Sequence, residues 1–178
     1  MCNKRQGKEI VQKSEQEVEA EDVRDVDLVV ALGGDHTFLR ASALIWDRTP
    51  ILGVNTNRDV YTGVLNPHFI DYEHRDRHCR LLLESMEDDH RVGYEKRTRI
   101  LYEKVRQYEN EEEQRILSLN EVFCAEKDVS SASRYRIVKD GADLGVFKSS
   151  GLIVSTGTGS SGWLYAARQL TVEQLEDV

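Results

Sequence analysis

No apolar run in this chain approaches the roughly 20 residues that a helix needs to cross a membrane, so no membrane span is expected. The first residues lack the apolar core of a secretory signal, and Glu9, Glu15, Glu17, Glu19 and Glu21 are too acidic for a transit peptide. Cysteine is scarce and odd in number. Cys2, Cys79 and Cys124 lie far apart, which excludes a disulfide framework and a zinc pattern and points to a reducing compartment. Basic charge is also in deficit: 24 Lys and Arg stand against 32 Asp and Glu, a net charge of −8. Nucleic-acid binding needs a basic face, so it is not expected. Small nucleotides stay open, because backbone N–H groups can hold phosphates locally. His74 and His78 are spaced i,i+4, but Glu73, Arg75, Asp76, Arg77 and Arg80 surround them. That is a solvated helix face, and no set of protein metal ligands is expected.

What is present is one full-sized domain, or one domain and part of another, in 178 residues. Such a chain can bury roughly 70% of its unfolded surface without metal or disulfide staples. Its organising stretch is Leu28-Val29-Val30-Ala31-Leu32, which reads as a strand buried on both faces. Gly33-Gly34 breaks it, and a helix is expected from near Thr37, with Phe38, Ala41 and Ile45 on one face. The free N–H groups at that helix start suit an anion such as phosphate. Asp35 at the same mouth is out of place unless it handles a proton or a metal ion, which points to phosphoryl transfer. A plain helix cap is the alternative.

Ahead of this stretch, residues 1–27 suggest a surface helix. A parallel α/β unit would start with a strand that is not visible here, so truncation is expected. Behind it, Thr49-Pro50 leads into a second short strand, Ile51-Leu52-Gly53-Val54, which ends at Asn55. Strand, helix and strand make a βαβ unit whose ligand lies beyond the strands' carboxyl ends, where Asp35 and Asn55 fall. Arg58 to Arg75 reads as a looser section, followed by a helix with Cys79, Leu82, Leu83 and Met86 as core packing. A boundary is placed near Gly93, giving an N-terminal α/β domain over residues 1–93 and an incomplete β-rich domain over 94–178. The second part offers strands from about Thr98, from Ile116 to Cys124 and from Tyr135 to Val138, with a charged loop at Glu109 to Gln114. Asp140-Gly141 signals a hairpin. Leu152 to Ser155 is a last strand before Gly157, Gly159 and Gly162, which satisfy G-x-G-x-x-G. A Rossmann site is disfavoured because too little chain follows, and no lysine makes it a P-loop.

Three polar stations thus recur at strand ends: Gly33-Gly34-Asp35, Asn120-Glu121 and Thr158-Gly159-Ser160. Their order and spacing resemble the NAD kinase family, with its GGDG motif, its later Asn-Glu or Asn-Asp pair and its TPTGSTAY-like loop. Leu119-Asn120-Glu121-Val122-Phe123, Ser130-Ser131-Ala132-Ser133 and Lys148-Ser149-Ser150-Gly151-Leu152 look closest to the animal mitochondrial branch.

The resemblance implies ATP-dependent phosphorylation of the adenosine ribose 2′-hydroxyl of NAD+ to give NADP+. ATP would be the donor, with Mg2+ or another divalent cation. Asp35 would be the catalytic base. Gly33, Gly34, His36 and Thr37 would form the phosphate loop. Asn120 and Glu121 would hold ribose and adenine, Thr158, Ser160 and Ser161 would line that site, and Asn55 would close the pocket. Read as residues alone, Asn120-Glu121 is more simply an ordinary strand edge or turn. The resemblance also implies small-molecule nucleotides as partners, a homodimer and a mitochondrial location, with the cytoplasm as the alternative. Three positions depart from the pattern: His36 for the last glycine of GGDG, Gly157 for the proline, and Gly162-Trp163 for Ala-Tyr. An imidazole at His36 would be strained if that position needed positive φ. The rivals are a lipid kinase of the diacylglycerol or sphingosine kinase type, and a non-catalytic nucleotide-binding paralogue or fragment.

Overall fold

The structure, a computed structural model, describes residues 9–70, 73–87, 93, 95–104, 114–128 and 130–168. The chain divides into two compact units, Met1–Lys96 and Arg97–Val178.

In the first unit, β1 (Val29–Leu32) leads into α1 (Asp35–Leu44), then β2 (Ile51–Asn55), β3 (His68–Phe69) and α2 (Arg75–Glu87). The three strands form one parallel sheet in the order β1-β2-β3, with Leu32 opposite Val54 and Val54 opposite His68. Helix α1 turns Phe38, Ser42 and Ile45 inward, all buried and spaced i, i+4, i+7. The paired residues Ala31 and Gly53 are small, which lets the Phe38 ring lie against the sheet there.

Four expectations need correction. Strand β1 is not covered on both faces: Ala31 is 4% exposed, but Val30 and Leu32 are 43% and 54% exposed. On the opposite face Val54 of β2 is fully covered, beside an open cavity lined by Val54, His68, His78 and Leu81, whereas Val30 and Leu32 of β1 have no such cover. The helix after the glycines starts at Asp35, two residues earlier than expected, with Gly34 as its N-cap. Over residues 9–27 there is no α-helix, only a 3-10 turn at Ala20–Val23. Carboxylates at Glu15 and Glu19, and at Glu17 and Glu21, would repel each other at i,i+4 in a helix. Finally, the section from Arg58 to Arg75 is not all loop, because His68–Phe69 adds β3 to the sheet. The side chains of Leu82, Leu83 and Met86 lie outside the described residues.

The second unit is built of antiparallel pairs. Strands β4 (Ile100–Lys104) and β5 (Gln114–Ser118) pair with Ile100 opposite Ser118. The charged stretch before Gln114 falls outside the described residues, and Gln114 itself opens β5. Strand β6 (Glu121–Cys124) follows, then the hairpin of β7 (Ser133–Lys139) and β8 (Ala142–Ser149), and finally β9 (Leu152–Ser155), which pairs with β6. The hairpin turns at Asp140 and Gly141, both with positive φ (51° and 81°), as its sequence predicts. A 3-10 turn at Thr158–Ser161 and α3 (Trp163–Arg168) close the unit.

The strand-like stretch from Ile116 to Cys124, with Asn120-Glu121 inserted in its middle, is two strands, β5 ending at Ser118 and β6 starting at Glu121. The break has a cause. The Leu119 carbonyl accepts the Thr156 hydroxyl at 2.6 Å and the Asn120 carbonyl accepts the Thr156 N–H at 2.8 Å, so the chain exchanges β4 for β9 as its neighbour.

Val54, with no exposure, should be the most sensitive point of the sheet. Val54→Ala is expected to lower unfolding stability by about 2 kcal/mol. Val30→Ala should cost less than about 1 kcal/mol because its side chain is already half in water. Urea midpoints of the two variants check this order.

Candidate functional site

In the first unit the β1 terminus is shaped by backbone contacts. Gly33 donates its N–H to the Val54 carbonyl at 2.9 Å and sits at φ 155°, where a side chain would also strike the Thr37 hydroxyl. At Gly34 a Cβ would run into the Tyr61 ring. Asp35 is not a helix cap. Helix α1 has no side-chain cap, and the Asp35 carboxylate instead accepts the N–H groups of Val64 and Leu65, one on each oxygen, both at 3.0 Å. Gly63 lies against this carboxylate so closely that a Cβ there would overlap it. The α1 N–H groups therefore stay available to an anion.

Asn55 is 5% exposed, and both ends of its amide are engaged. Its Nδ2 donates to the Tyr61 carbonyl at 2.8 Å, and its Oδ1 accepts the Asn57 N–H at 2.8 Å. It thus shapes the loop over residues 57–61. Beside it lies a cavity of about 300 Å3 lined by Asn55, Arg58, Tyr61, Thr62, Gly63 and Asn66. The Arg58 guanidinium stacks over the Phe69 ring at 4.4 Å.

His36 is the second residue of α1, and its φ is not positive. The strain argued for an imidazole at this position therefore lapses. Its side chain is 80% exposed, with Nε2 3.4 Å from Glu15, whose carboxylate also meets Arg40 at 3.1 Å and the Thr37 hydroxyl at 3.4 Å.

In the second unit, Asn120 and Glu121 lie at the break between β5 and β6, under the turn that follows β9. Thr156, buried, is the tie: its hydroxyl donates to Leu119 and accepts the Gly159 N–H at 3.1 Å. Gly159 sits on the Asn120 backbone so closely that a Cβ would overlap the Asn120 carbonyl oxygen. Gly162 lies beside the Glu121 carboxylate and the Asn120 amide nitrogen. Two acceptors in this corner, Asn120 Oδ1 and Glu121 Oε2, are buried without a hydrogen-bond partner. Burial pushes the Glu121 carboxyl above its ordinary value, while the Trp163 N–H partly offsets this. Thr158 Oγ1 accepts from Arg97 at 3.4 Å, and Ser160 and Ser161 are exposed. The Ser160 hydroxyl donates to the Gly157 carbonyl at 2.7 Å.

Asn120 and Glu121 thus come together with the glycine and hydroxyl turn, and Gly33, Gly34 and Asp35 come together with Asn66 and the turn at Gly63. Sequence reasoning missed Thr156, Gly63 and Asn66. Thr156 carried a signal, as the first hydroxyl residue past a strand end. Gly63 and Asn66 carried none, because their contacts lie about 30 residues away in the chain. Among the described residues, no group of three or more His, Cys, Asp or Glu comes together as a metal-ion site.

A parallel βαβ unit with an open helix start at its strand ends, next to a carboxylate, defines an α/β protein whose ligand crevice lies beyond the carboxyl ends of its strands. The profile for the ATP-NAD kinase N-terminal domain matches residues 1–76. The NAD kinase of Clostridium beijerinckii is 30% identical over 154 residues, covering 85% of this chain and 49% of that protein. Human NAD kinase 2, mitochondrial, is 30% identical over 203 residues, covering 97% of this chain and 46% of that protein. Among solved structures, yeast NADH kinase complexed with NADH aligns with a TM-score of 0.68 at 23% identity, covering 92% of this chain and 44% of that one. An NAD kinase from Archaeoglobus fulgidus in complex with ATP aligns at 0.60 and 22% identity, covering 88% and 55%. The chain is similar to the NAD kinases and has their α/β fold. It spans about half the length of the curated relatives it matches.

The raised Glu121 value has a sign that can be measured. Between the ordinary carboxylate value of 4.5 and the raised one, the folded chain holds a proton that the unfolded chain has released. The stability Glu121 contributes is therefore complete below 4.5 and is lost as pH rises through the raised value. Glu121→Gln removes this dependence, so the variant should gain on the parent as pH rises from acidic to neutral. Urea midpoints at both ends of that range check it. In the same corner, Gly159→Ala should destabilise by more than about 1 kcal/mol, because its Cβ meets backbone that cannot rotate away.

Proposed function

We propose that this chain acts in ATP-dependent phosphorylation of NAD+ to NADP+. The observation that carries this reading is the pair of unpartnered buried acceptors, Asn120 Oδ1 and Glu121 Oε2, at the position of the family's Asn-Glu pair. Buried acceptors call for donors. The ribose hydroxyls and the adenine amine of a dinucleotide supply them. Thr158, Ser160 and Ser161 add hydroxyls on the neighbouring turn.

Asp35 is the proposed base. As the 2′-oxygen of the ribose bonds to the γ-phosphorus, the bond from that phosphorus to the bridging oxygen breaks and ADP leaves. The hydroxyl proton passes to the Asp35 carboxylate. Each carboxylate oxygen already accepts one backbone N–H and keeps a further lone pair for this proton. The two amides hold the carboxylate in one orientation. Gly33 and Gly34 keep the backbone close to the triphosphate, and the uncapped start of α1 at His36 and Thr37 offers N–H groups to it. Asn55 supports the adjoining loop. A divalent cation such as Mg2+ would belong to the triphosphate substrate and would supply neutralisation of its charge. The solved relatives in complex with NADH and with ATP support both ligand classes.

The same reading divides the chain into a phosphate-loop domain over residues 1–93 and the start of a β-rich NAD-binding domain over 94–178. It takes the assembly as a homodimer and the location as mitochondrial, from the likeness to the animal mitochondrial branch. Among the described residues, no helix is long and apolar enough to cross a membrane.

The test is NADP+ formation from NAD+ and Mg-ATP by the chain and by Asp35→Asn. The expected loss in the variant is about 100-fold or more, with NAD+ binding retained. Equal turnover in both proteins would remove Asp35 from the role of base. No NAD+ binding by the parent chain would remove the dinucleotide reading.

A further inference from the structure

Three successive residues hold both ends of the Gly33-Gly34-Asp35 turn. Val64 and Leu65 donate their backbone N–H groups to the Asp35 carboxylate, and Asn66 donates its Nδ2 to the Gly33 carbonyl at 2.9 Å. The first two contacts are made by backbone, so many side chains could occupy those positions. The third depends on an amide side chain. Asn66 is 5% exposed, and its Oδ1 has no hydrogen-bond partner. That oxygen faces Gly53 of the central strand, with the Phe38 ring next to it. An amide in such a place is poor core filling, because an apolar side chain of similar volume would leave no carbonyl unpaired. It is well placed as a donor.

We propose that Asn66 is a positioning residue for phosphoryl transfer, acting through the Gly33 carbonyl to fix the turn that presents Gly34 and the Asp35 carboxylate. This rests on the kinase reading of the same site. The side chain is not itself a catalytic residue. The Leu32–Gly33 peptide is tied to Val54 through its N–H, and the bond from Asn66 to the Gly33 carbonyl ties the following peptide, so the peptides on both sides of the Gly33 Cα are held. Asp35 then stands at the start of α1 with its direction set from both sides. No motif marks Asn66, since the contact spans 33 residues.

The test is Asn66→Leu, which keeps the branched shape and the number of heavy atoms and removes both the donor and the unpaired oxygen. The unfolding midpoint is expected to hold or rise, with KM for NAD+ within about twofold and kcat lower by about 10- to 100-fold, as for a displaced reacting group. In 1H–15N spectra the amides of Gly33, Gly34 and Asp35 should move most. An unchanged kcat with a lowered midpoint, and spectral changes confined to Gly53 and Phe38, would show Asn66 to be structural only. If Asn66→Leu does not fold, Asn66→Ala is read by the same kcat and spectra. If the parent chain makes no NADP+, the kinase reading fails and the spectra decide alone: unmoved turn amides overturn the proposal.

Discussion

At the end of β1 the Gly33 N–H donates to the Val54 carbonyl at 2.9 Å, one residue past the last paired position of the two strands. The parallel ladder is thereby carried through the first glycine and stops there. Everything at that sheet edge follows. The chain can turn only because Gly33 accepts φ 155°, and α1 starts at once because Gly34 can lie against the Tyr61 ring without a side chain. Val54, fully buried between Leu32 and His68, is the apolar anchor of the same register. The geometry of the Gly33-Gly34-Asp35 turn is thus an extension of strand pairing.

The second unit solves a similar problem with a side chain. Thr156 is a buried hydroxyl that donates to Leu119 and accepts from Gly159, so one residue joins the break between β5 and β6 to the turn after β9. That junction brings Asn120 and Glu121 under a turn from another part of the chain. The carboxylate and amide there are desolvated by the packing, and two of their oxygens go unpaired. Both units therefore keep a polar cost at their strand ends, Asn66 Oδ1 in the first and the Asn120–Glu121 acceptors in the second. Buried polar atoms left without partners cost the free fold stability.

Much of the architecture was legible. The βαβ unit, the Asp140-Gly141 hairpin and the three polar stations rest on local chemistry: β-branched runs, turn glycines and helix spacing. Less legible was whatever depended on cover by distant chain. Val30 and Leu32 have the composition of a doubly buried strand, yet they are exposed, because composition records which residues can be buried and not which face receives a neighbour. The acidic segment around Glu15, Glu17 and Glu19 had helical length but not helical charge spacing. His68–Phe69 is too short to carry a period, and it became a strand only because the edge of β2 was open beside it.

By itself, then, the sequence determined where the chain must turn and which groups stand at the turns, because glycine conformation, helix starts and strand propensity act over a few residues. The likeness to the NAD kinases is carried by the same stations, in their order. Only the tertiary structure decided what those groups touch. The two amides on Asp35, the Asn66 bond to Gly33 and the unpaired oxygens of Asn120 and Glu121 come from contacts or packing between distant segments. Such contacts depend on register and packing in three dimensions, and no local pattern encodes them.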